Sequence, residues 1–424
     1  MRNDMKIGYA CLVNGVINTG FRTCSKQYAT EEKLLELIAY NLQILERIID
    51  YNIENHIQMF RITSDLIPFG SSEINTLNWT EKFSKEFQTI GDKIKINHIR
   101  VSMHPGQYTV LNSPDETVVS RAIGDLEYHE KILSALKTDK TNKIILHIGG
   151  IYQNKQEAVM RFIENYNKLD IKIKDRLIIE NDDKLYTIED VLNIASKINA
   201  PVVFDNLHNQ VNKSIAEREE CQWIRLCAKT WHIEDGTPKI HYSQQNREKR
   251  PGAHSQTIYT DQFMEFYHQI QDDEIDIMLE VKDKNWSAVK CLNLINKRGK
   301  IQALEKEWGL YKYLILEHSP KNYQKIRSLL KDKEQYKVVE FYQLIEEALQ
   351  ETVSVGHAVN AFDHVWGYFK NSATQNEKNQ FEKKKNDFLN QKIPLNTIKK
   401  FLLKLSEKYE EEYLVDSYYF YEVM

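Results

Sequence analysis

The sequence is poor in cysteine, so disulfide bonds cannot be the main source of its stability, and a reducing compartment suits it. Its 424 residues include five cysteines, none in a Cys-X-X-Cys pair, which are too few to staple a chain of this length. No run of about 18 apolar residues occurs, and the first residues contain no apolar segment of the signal-peptide type. We therefore expect a cytoplasmic protein with no membrane contact and with reduced cysteines.

The sequence also lacks a strong excess of charge of either sign. The formal net charge is −4, and 28% of the residues are charged. Nothing in this balance announces a nucleic-acid partner, although it argues only weakly against one, because buried acidic metal ligands would raise the acidic count. The hydrophobic fraction of 42% is enough for a real core, and the length indicates one large domain plus a smaller one.

Short apolar, β-branched segments recur between longer helical patterns, and this alternation predicts a parallel α/β sheet. Residues 30–51 show the helical pattern, with one apolar stripe and with Glu31 and Glu32 where the helix dipole favours acidic groups. Eight strands that alternate with helices over about 280 residues have the size of a TIM (β/α)8 barrel, and a doubly wound open sheet is the alternative. The predicted strands are residues 6–11, 57–62, 98–103, 143–148, 176–180, 201–205, 238–243 and 276–281.

The pattern changes at about residue 305. From there the chain shows one helical pattern after another, rich in Lys, Glu and Tyr, and no convincing strand. We therefore predict a barrel domain over residues 1–300 and a separate, small all-α domain over residues 305–424.

Residues that can bind metals occur at or just after the ends of six consecutive predicted strands. In a TIM barrel, active-site groups lie at the carboxyl ends of the strands and in the loops beyond them. Each residue taken singly is more typical of core packing or a buried hydrogen bond. Burying so many carboxylates and imidazoles at one rim without a cation would be very costly, so we predict a multinuclear metal centre. The residues are His104, His147, Glu180, Asp205, His208, Lys239, His241, His254 and Glu280.

Several divalent metal ions at the mouth of a barrel suit the hydrolysis of a phosphodiester. Two ions about 3.5–4 Å apart can activate a water molecule and stabilise the leaving oxygen. Mixed imidazole and carboxylate ligands suit Zn²⁺ or Mn²⁺, and the sequence does not choose between them. A sugar isomerase or epimerase of the same barrel type is the alternative, because it also uses such ligands at the rim.

Residues 101–113, VSMHPGQYTVLNS, place a Pro-Gly turn directly after His104 and hold out Gln107 and Tyr108 beyond the turn. Taken alone, this stretch is more typical of a strand that ends in a turn. A planar amide and an aromatic ring held out beside a metal centre would also suit a wedge inserted between stacked nucleic-acid bases.

A second segment, residues 246–255 with the sequence NREKRPGAHS, concentrates basic groups just before His254. A loop that carries both phosphate-binding charge and a metal ligand would couple DNA docking to the site. A solvated basic loop is the alternative. The basic residues are Arg247, Lys249 and Arg250.

Seven segments across residues 5–300 resemble the UV damage endonuclease family: GYACLVN, HPGQYTVLNSP, LHIGG, LIIENDD, FDNLHN, PKIHYSQQ and MLEVKDK. The resemblance implies a TIM barrel similar to that of endonuclease IV. It also implies an enzyme that nicks double-stranded DNA immediately 5′ of ultraviolet photoproducts and of some other lesions. It implies that a 3′-hydroxyl and a 5′-phosphate are left. It also implies up to three divalent metal ions, most commonly manganese, with zinc or magnesium as alternatives.

Carried over by matching motif, the resemblance implies a role for each candidate residue. Lys239 matches a lysine that is carboxylated in the family, and a carbamate would add an anionic ligand where an ammonium would repel metals. Gln107 and Tyr108 match the pair that probes the lesion. Tyr9 and Asn14 would also contact DNA, although their spacing departs from the family pattern. The metal ligands would be His104, His147, Glu180, Asp205, His208, His241, His254 and Glu280, and the catalytic residues Glu180, Glu280, Lys239 and His241.

The last part of the chain has its own resemblance. The segments YKYLILEHSPKNYQKI, GHAVNAFDHVWGYFK and IPLNTIKKFLLKLSEKYEEEYLVDSYYF resemble the YbgA-like family, a small helical domain of unknown activity found in DNA-repair contexts. This resemblance is consistent with a domain that holds a protein partner or the substrate. A folded appendage with no catalytic role is the alternative.

Overall fold

A computed structural model describes residues 5–423 and divides the chain into two compact units. The first, the barrel unit, comprises residues 5–12 together with Thr19–Ile258 and Gln262–Val289. The second, the helical unit, comprises Val13–Asn18, Tyr259–Asp261 and residues 290–423. Among the described residues, no helix is long and apolar enough to cross a membrane.

The barrel unit contains a closed barrel of eight parallel strands in the order β1 to β8, with β8 paired to β1. Each observed strand lies within the segment predicted for it, so the predicted TIM barrel is confirmed and the open-sheet alternative is wrong. The strands are β1 Ile7–Ala10, β2 Met59–Ile62, β3 Arg100–Met103, β4 Ile144–His147, β5 Leu177–Glu180, β6 Val202–Asp205, β7 Lys239–Tyr242 and β8 Asp276–Leu279.

Helices connect the strands of the barrel, and one more helix leads from the last strand into the helical unit. Helix α1 begins after Thr30, whose hydroxyl oxygen accepts a hydrogen bond from the Lys33 backbone N–H at 3.2 Å and so caps the first turn. The helices are α1 Glu31–Glu54, α2 Trp79–Lys82, α3 Ser84–Ile96, α4 Glu116–Ala135, α5 Lys155–Lys168, α6 Ile171–Arg176, α7 Ile188–Ile198, α8 Asn206–Val211, α9 Glu220–Ala228, α10 Thr260–Ile270 and α11 Asn285–Ile295.

The strand register brings polar residues to a common level at the carboxyl ends of the strands. His147 of β4 pairs with Glu180 of β5, and Asp205 of β6 pairs with His241 of β7. The opposite end is closed by buried ion pairs, including one between Arg100 Nη1 and Asp276 Oδ2 at 2.9 Å. Metal-ligand residues therefore meet at one end of the barrel, and structural ion pairs lie at the other.

The helical unit is all-α after α11, as the sequence predicts. Its helix α12 contacts α13, α14 and α15, and a buried ion pair joins Glu317 Oε1 of α12 to Lys399 Nζ of α17 at 2.5 Å. The helices are α12 Ile301–His318, α13 Pro320–Leu329, α14 Val338–Gln350, α15 Val355–Trp366, α16 Gln375–Leu389, α17 Leu395–Lys408 and α18 Glu412–Val415.

Candidate metal centre

Glu180, the last residue of β5, lies at the centre of a polar cluster at the carboxyl ends of the strands. Its Oε1 atom is 2.6 Å from His241 Nδ1, and its Oε2 atom is 3.0 Å from His104 Nε2 and 3.6 Å from His147 Nε2. Burial alone would raise the pKa of the Glu180 carboxyl, but the three histidines hold this pKa well below its usual value. Glu180 is therefore an anion at neutral pH, as a metal ligand must be.

Asp205 and His208 form the next part of the cluster, at the end of β6. Asp205 Oδ1 accepts a hydrogen bond from the His208 backbone N–H at 2.8 Å, and it lies 3.8 Å from His208 Nδ1. His208 Nδ1 donates to the backbone carbonyl of Asn181 at 2.9 Å, so Nε2 is the nitrogen that can bind a metal ion once the ion displaces its proton. Burial raises the pKa of Asp205 to about 6. Although burial lowers the pKa of His208, the nearby carboxylates, Asp205 first, raise it to about 9.

Glu280 follows β8 directly and completes the cluster. Its Oε1 atom is 3.3 Å from His241 Nδ1, and its Oε2 atom is 3.7 Å from His254 Nε2. The guanidinium of Arg61 on β2 donates a hydrogen bond to Glu280 Oε1. Burial would raise the pKa of Glu280, but Arg61 and the two histidines hold it well below its usual value. The rim thus carries two ionised glutamates with imidazole nitrogens between them.

The donor atoms fit a centre with more than one divalent metal ion. Asp205 Oδ2 and His241 Nε2 are buried and have no hydrogen-bond partner among residues 5–423, a costly state that a bound cation would relieve. Imidazole nitrogens and carboxylate oxygens together suit Mn²⁺ or Zn²⁺. In the described part of the chain, ligand atoms lie within 4.8 Å of one another in three overlapping groups: His104, Glu180 and His241; Glu180, Asp205 and His208; and Asp205, His241 and Glu280.

Lys239 begins β7, two residues before His241, so its side chain projects to the same face of the strand about 7 Å deeper in the barrel. It is buried, with 2% of its surface exposed. Burial, followed by the positive charges of Arg100 and Arg61, lowers the pKa of the Lys239 amine well below its usual value. The structure therefore places Lys239 beneath the cluster, and its carboxylation stays a prediction.

The predicted lesion loop follows His104 at the end of β3. Tyr108 is 75% exposed, and Gln107 is exposed as well. The loop is held from below, because the Ser64 hydroxyl lies 3.2 Å from the His104 carbonyl and Thr109 Oγ1 donates to Asp125 Oδ2 at 2.6 Å. Its two exposed residues thus stand on a braced turn next to one of the candidate ligands.

The predicted basic loop is exposed at all three of its cationic positions and is internally hydrogen-bonded. The Asn246 backbone N–H donates to the Ala253 carbonyl at 2.7 Å, and the Gly252 N–H donates to Gln245 Oε1 at 2.8 Å. The loop ends at His254, beside Glu280. Three exposed cationic side chains therefore lie in the loop that leads to His254: Arg247, Lys249 and Arg250.

The assignment of Tyr9 to DNA contact is wrong, because the side chain lies in the core of the barrel unit. Tyr9 is fully buried, its ring packs edge-on against Phe60 at 5.2 Å, and its hydroxyl donates to Asn52 Oδ1 at 2.7 Å. Asn14 is half-buried and belongs to the helical unit, and its contact with DNA stays a prediction.

Two residues that the sequence reasoning missed hold the cluster in place. Arg61 donates a hydrogen bond to Glu280. The only sign of this role in the sequence is a single arginine near the end of an apolar strand. Asn181, directly after Glu180, accepts from the Asp205 backbone N–H at 2.9 Å and donates to the Asp205 carbonyl at 3.0 Å. Asn181 also receives the His208 hydrogen bond through its own carbonyl, so it fixes the orientation of two candidate ligands.

The fold and the cluster together define a TIM-barrel enzyme whose site at the carboxyl ends of the strands can hold divalent metal ions. Comparison with known proteins agrees. The family model described as UV-endonuclease UvdE matches residues 5–309, and a model described as a protein of unknown function (DUF1722) matches residues 312–423.

A UV DNA damage endonuclease of Clostridium perfringens is 45% identical over 352 residues, which cover 81% of this chain and 83% of the relative. One from Bacillus cereus strain G9842 is 34% identical, over 65% of this chain and 86% of the relative. The crystal structure of SacUVDE superposes with a TM-score of 0.64 at 38% identity, over 69% of this chain and 98% of that one.

The chain therefore belongs to the UV-endonuclease UvdE family and is a DNA-repair endonuclease. The predicted family resemblance is confirmed, and the sugar-isomerase alternative is set aside. The match of the helical unit to a family of unknown function is consistent with the predicted helical domain of unknown activity.

Proposed function

We propose that this enzyme nicks duplex DNA immediately 5′ of ultraviolet photoproducts and of some other lesions, leaving a 3′-hydroxyl and a 5′-phosphate. It would use up to three divalent metal ions, manganese in the first place. The observation that carries this proposal is the set of three overlapping ligand groups beside the braced loop that exposes Gln107 and Tyr108.

The residues at and around the cluster have different proposed roles, which follow from their positions. Eight residues would hold the metal ions, which when bound supply positive charge that polarises the scissile phosphate. Arg61 keeps Glu280 ionised and oriented, and the exposed basic loop binds the phosphate backbone and fixes the register of the duplex. Lys239, as a carbamate, would add one more anionic ligand from below. The eight residues are His104, His147, Glu180, Asp205, His208, His241, His254 and Glu280.

An assay on supercoiled plasmid tests this function. In the presence of Mn²⁺, irradiated plasmid should be relaxed and intact plasmid should remain supercoiled. With a chelator, both plasmids should remain supercoiled. A DNA polymerase should extend the nick directly, because the expected 3′ end is a hydroxyl. Equal cleavage of both plasmids, or a 3′-phosphate end, would contradict the proposal.

Metal binding should stabilise the protein more strongly at pH 8 than at pH 6. Without metal, the raised pKa values of Asp205 and His208 stabilise the fold at low pH, and this stabilisation is lost as the pH rises through about 6 and then about 9. A cation takes the place of those protons. We expect one fixed Mn²⁺ concentration, about 100 times the Kd at pH 8, to raise Tm by several degrees at pH 8 and by less at pH 6, where protons compete for the same atoms and Kd is higher. Scanning calorimetry with and without a chelator measures this, and the Glu180→Gln variant should lose most of the shift.

Replacing both Gln107 and Tyr108 with alanine should leave folding and the Mn²⁺-induced Tm shift intact but sharply reduce nicking at photoproducts. Base–aromatic stacking contributes about 1–3 kcal/mol, so affinity for a lesion duplex should fall about 5- to 150-fold. Fluorescence anisotropy on lesion and intact duplexes measures the change. The control variant Arg247→Ala should weaken binding of the lesion duplex and of the intact duplex to the same extent, and it should lower the salt dependence of both affinities. Full lesion selectivity in the double variant would reduce this loop to a simple strand-end turn.

A further inference from the structure

The loop between β4 and α5 has an unusual backbone next to the candidate metal centre. Tyr152 and Gln153, which follow His147 in this loop, have φ values of +44° and +73°. L-residues other than glycine rarely adopt such values, and a bulky residue there is strained. Tyr152 is 39% exposed, so its ring is not simply filling the core. Strain of this kind persists where the surroundings enforce it, and it clusters at functional sites.

The Tyr152 ring folds back onto a glycine two residues earlier, as the Tyr108 ring does. A Cβ atom at Gly150 would lie 2.9 Å from Tyr152 Cε2, and a Cβ atom at Gly106 would lie 2.5 Å from Tyr108 Cε1. Each glycine therefore leaves room for a tyrosine ring against the backbone. Each loop thus places a tyrosine ring against a glycine, just beyond a candidate ligand histidine.

The two loops are joined by direct contacts. Asn112 Nδ2, after Tyr108, donates to the Gly150 carbonyl at 2.6 Å, and a Cβ atom at Gly149 would lie 2.9 Å from Val110 Cγ1. Arg161 of α5 donates through Nε to the Asn112 carbonyl at 2.9 Å. The Arg161 guanidinium carbon also lies 5.7 Å from the centroid of the Tyr152 ring. Both tyrosines thus stand on one braced support, with a cation beside the second.

We propose that Tyr152 is a second nucleobase-stacking residue, which contacts the DNA strand at the bases beside the lesion while Gln107 and Tyr108 occupy the lesion itself. An exposed aromatic ring with a neighbouring guanidinium is the arrangement that binds unstacked bases without sequence preference. Gln153, exposed beside the ring, adds an amide that can donate to and accept from a base edge or phosphate. The inference rests on the proposed function, because it requires a distorted duplex at this site.

Fluorescence anisotropy with a duplex that carries one photoproduct tests the inference, in chelator so that no cleavage occurs. Tyr152→Ala should weaken binding of the lesion duplex about 5- to 150-fold, the range of a lost stacking contact, and change binding of intact duplex far less. Tyr152→Phe should bind as the wild type does, because the ring is retained. Ile171→Ala is the control, an exposed apolar residue on α6, which leads into the opposite end of β5.

A glycine variant separates stacking from folding. Tyr152→Gly should bind the lesion duplex as weakly as Tyr152→Ala, yet its Tm should equal or exceed that of Tyr152→Ala, because both variants lack the ring but only glycine adopts φ +44° without strain. Equal losses in Tyr152→Phe and Tyr152→Ala would overturn the stacking role. Suppose that the wild type nicks irradiated plasmid and that Tyr152→Ala discriminates lesion duplex from intact duplex as well as the wild type does. This result would overturn the inference about Tyr152 and leave the proposed function standing. Failure of the wild type to nick would overturn the proposed function and this inference with it.

Discussion

Glu180→Gln should abolish nicking of irradiated DNA, by at least about 1,000-fold in the single-turnover rate, while DNA binding changes little. The Glu180 carboxylate belongs to two of the three ligand groups and lies within 3.6 Å of three histidines. Glutamine keeps the shape but removes the charge, so the positive charge needed at the reacting phosphate would be misplaced. Glu180→Ala and Glu280→Gln should give the same result.

The measurement has to separate catalysis from binding and from folding. Single-turnover nicking with Mn²⁺ gives the rate, anisotropy gives the affinity, and Tm reports on the fold. Glu307→Gln is a suitable control, because Glu307 is also a buried glutamate, in the helical unit, and burial raises its pKa to about 7. This control should nick at the wild-type rate. Near-normal turnover in Glu180→Gln or Glu180→Ala would mean that the assigned site is wrong.

Lys239→Arg should lose activity to a similar extent, although arginine keeps a long basic side chain at the same place. Arginine cannot carry the carboxyl group that turns Lys239 into an anionic ligand, and its permanent charge would repel metal ions above it. The wild-type amine is suited to the modification, because carbon dioxide reacts with a neutral amine and burial lowers the Lys239 pKa well below its usual value.

Crystallographic density is the better test of the modification itself, because a carbamate is readily lost from the protein during preparation for mass analysis. Where it survives, intact mass in bicarbonate should show one added carboxyl group on the wild type and none on Lys239→Arg. The matched control is Lys143→Arg, at another buried lysine, which instead forms an ion pair with Asp235. That variant should keep its activity. Wild-type nicking by Lys239→Arg would sink the idea of a modified ligand.

Most of the fold and most of the cluster could be predicted from the sequence for a simple geometric reason. In a parallel barrel, the last residue of every strand reaches the same rim, so identifying the strands is enough to gather His147, Glu180 and Asp205. The apolar segments marked the strands to within one or two residues, since buried parallel strands are nearly continuous runs of apolar residues.

The contacts between distant residues could not be predicted in this way. Nothing local indicates that Tyr9 turns into the core to meet Asn52, or that Arg61 reaches Glu280 across a separation of 219 residues. The sequence also does not predict the strained backbone at Tyr152, because tyrosine has no preference for positive φ.

The sequence by itself therefore determined the class of fold and the kinds of side chain at the rim, since both follow from local periodicity and from the ends of strands. Only the tertiary structure decided which side chains share a cluster, which of them are buried away from DNA, and how the loops after β3 and β4 support each other. The physical reason is that packing and hydrogen bonding between elements depend on chain closure, and local preferences carry no information about a partner hundreds of residues away.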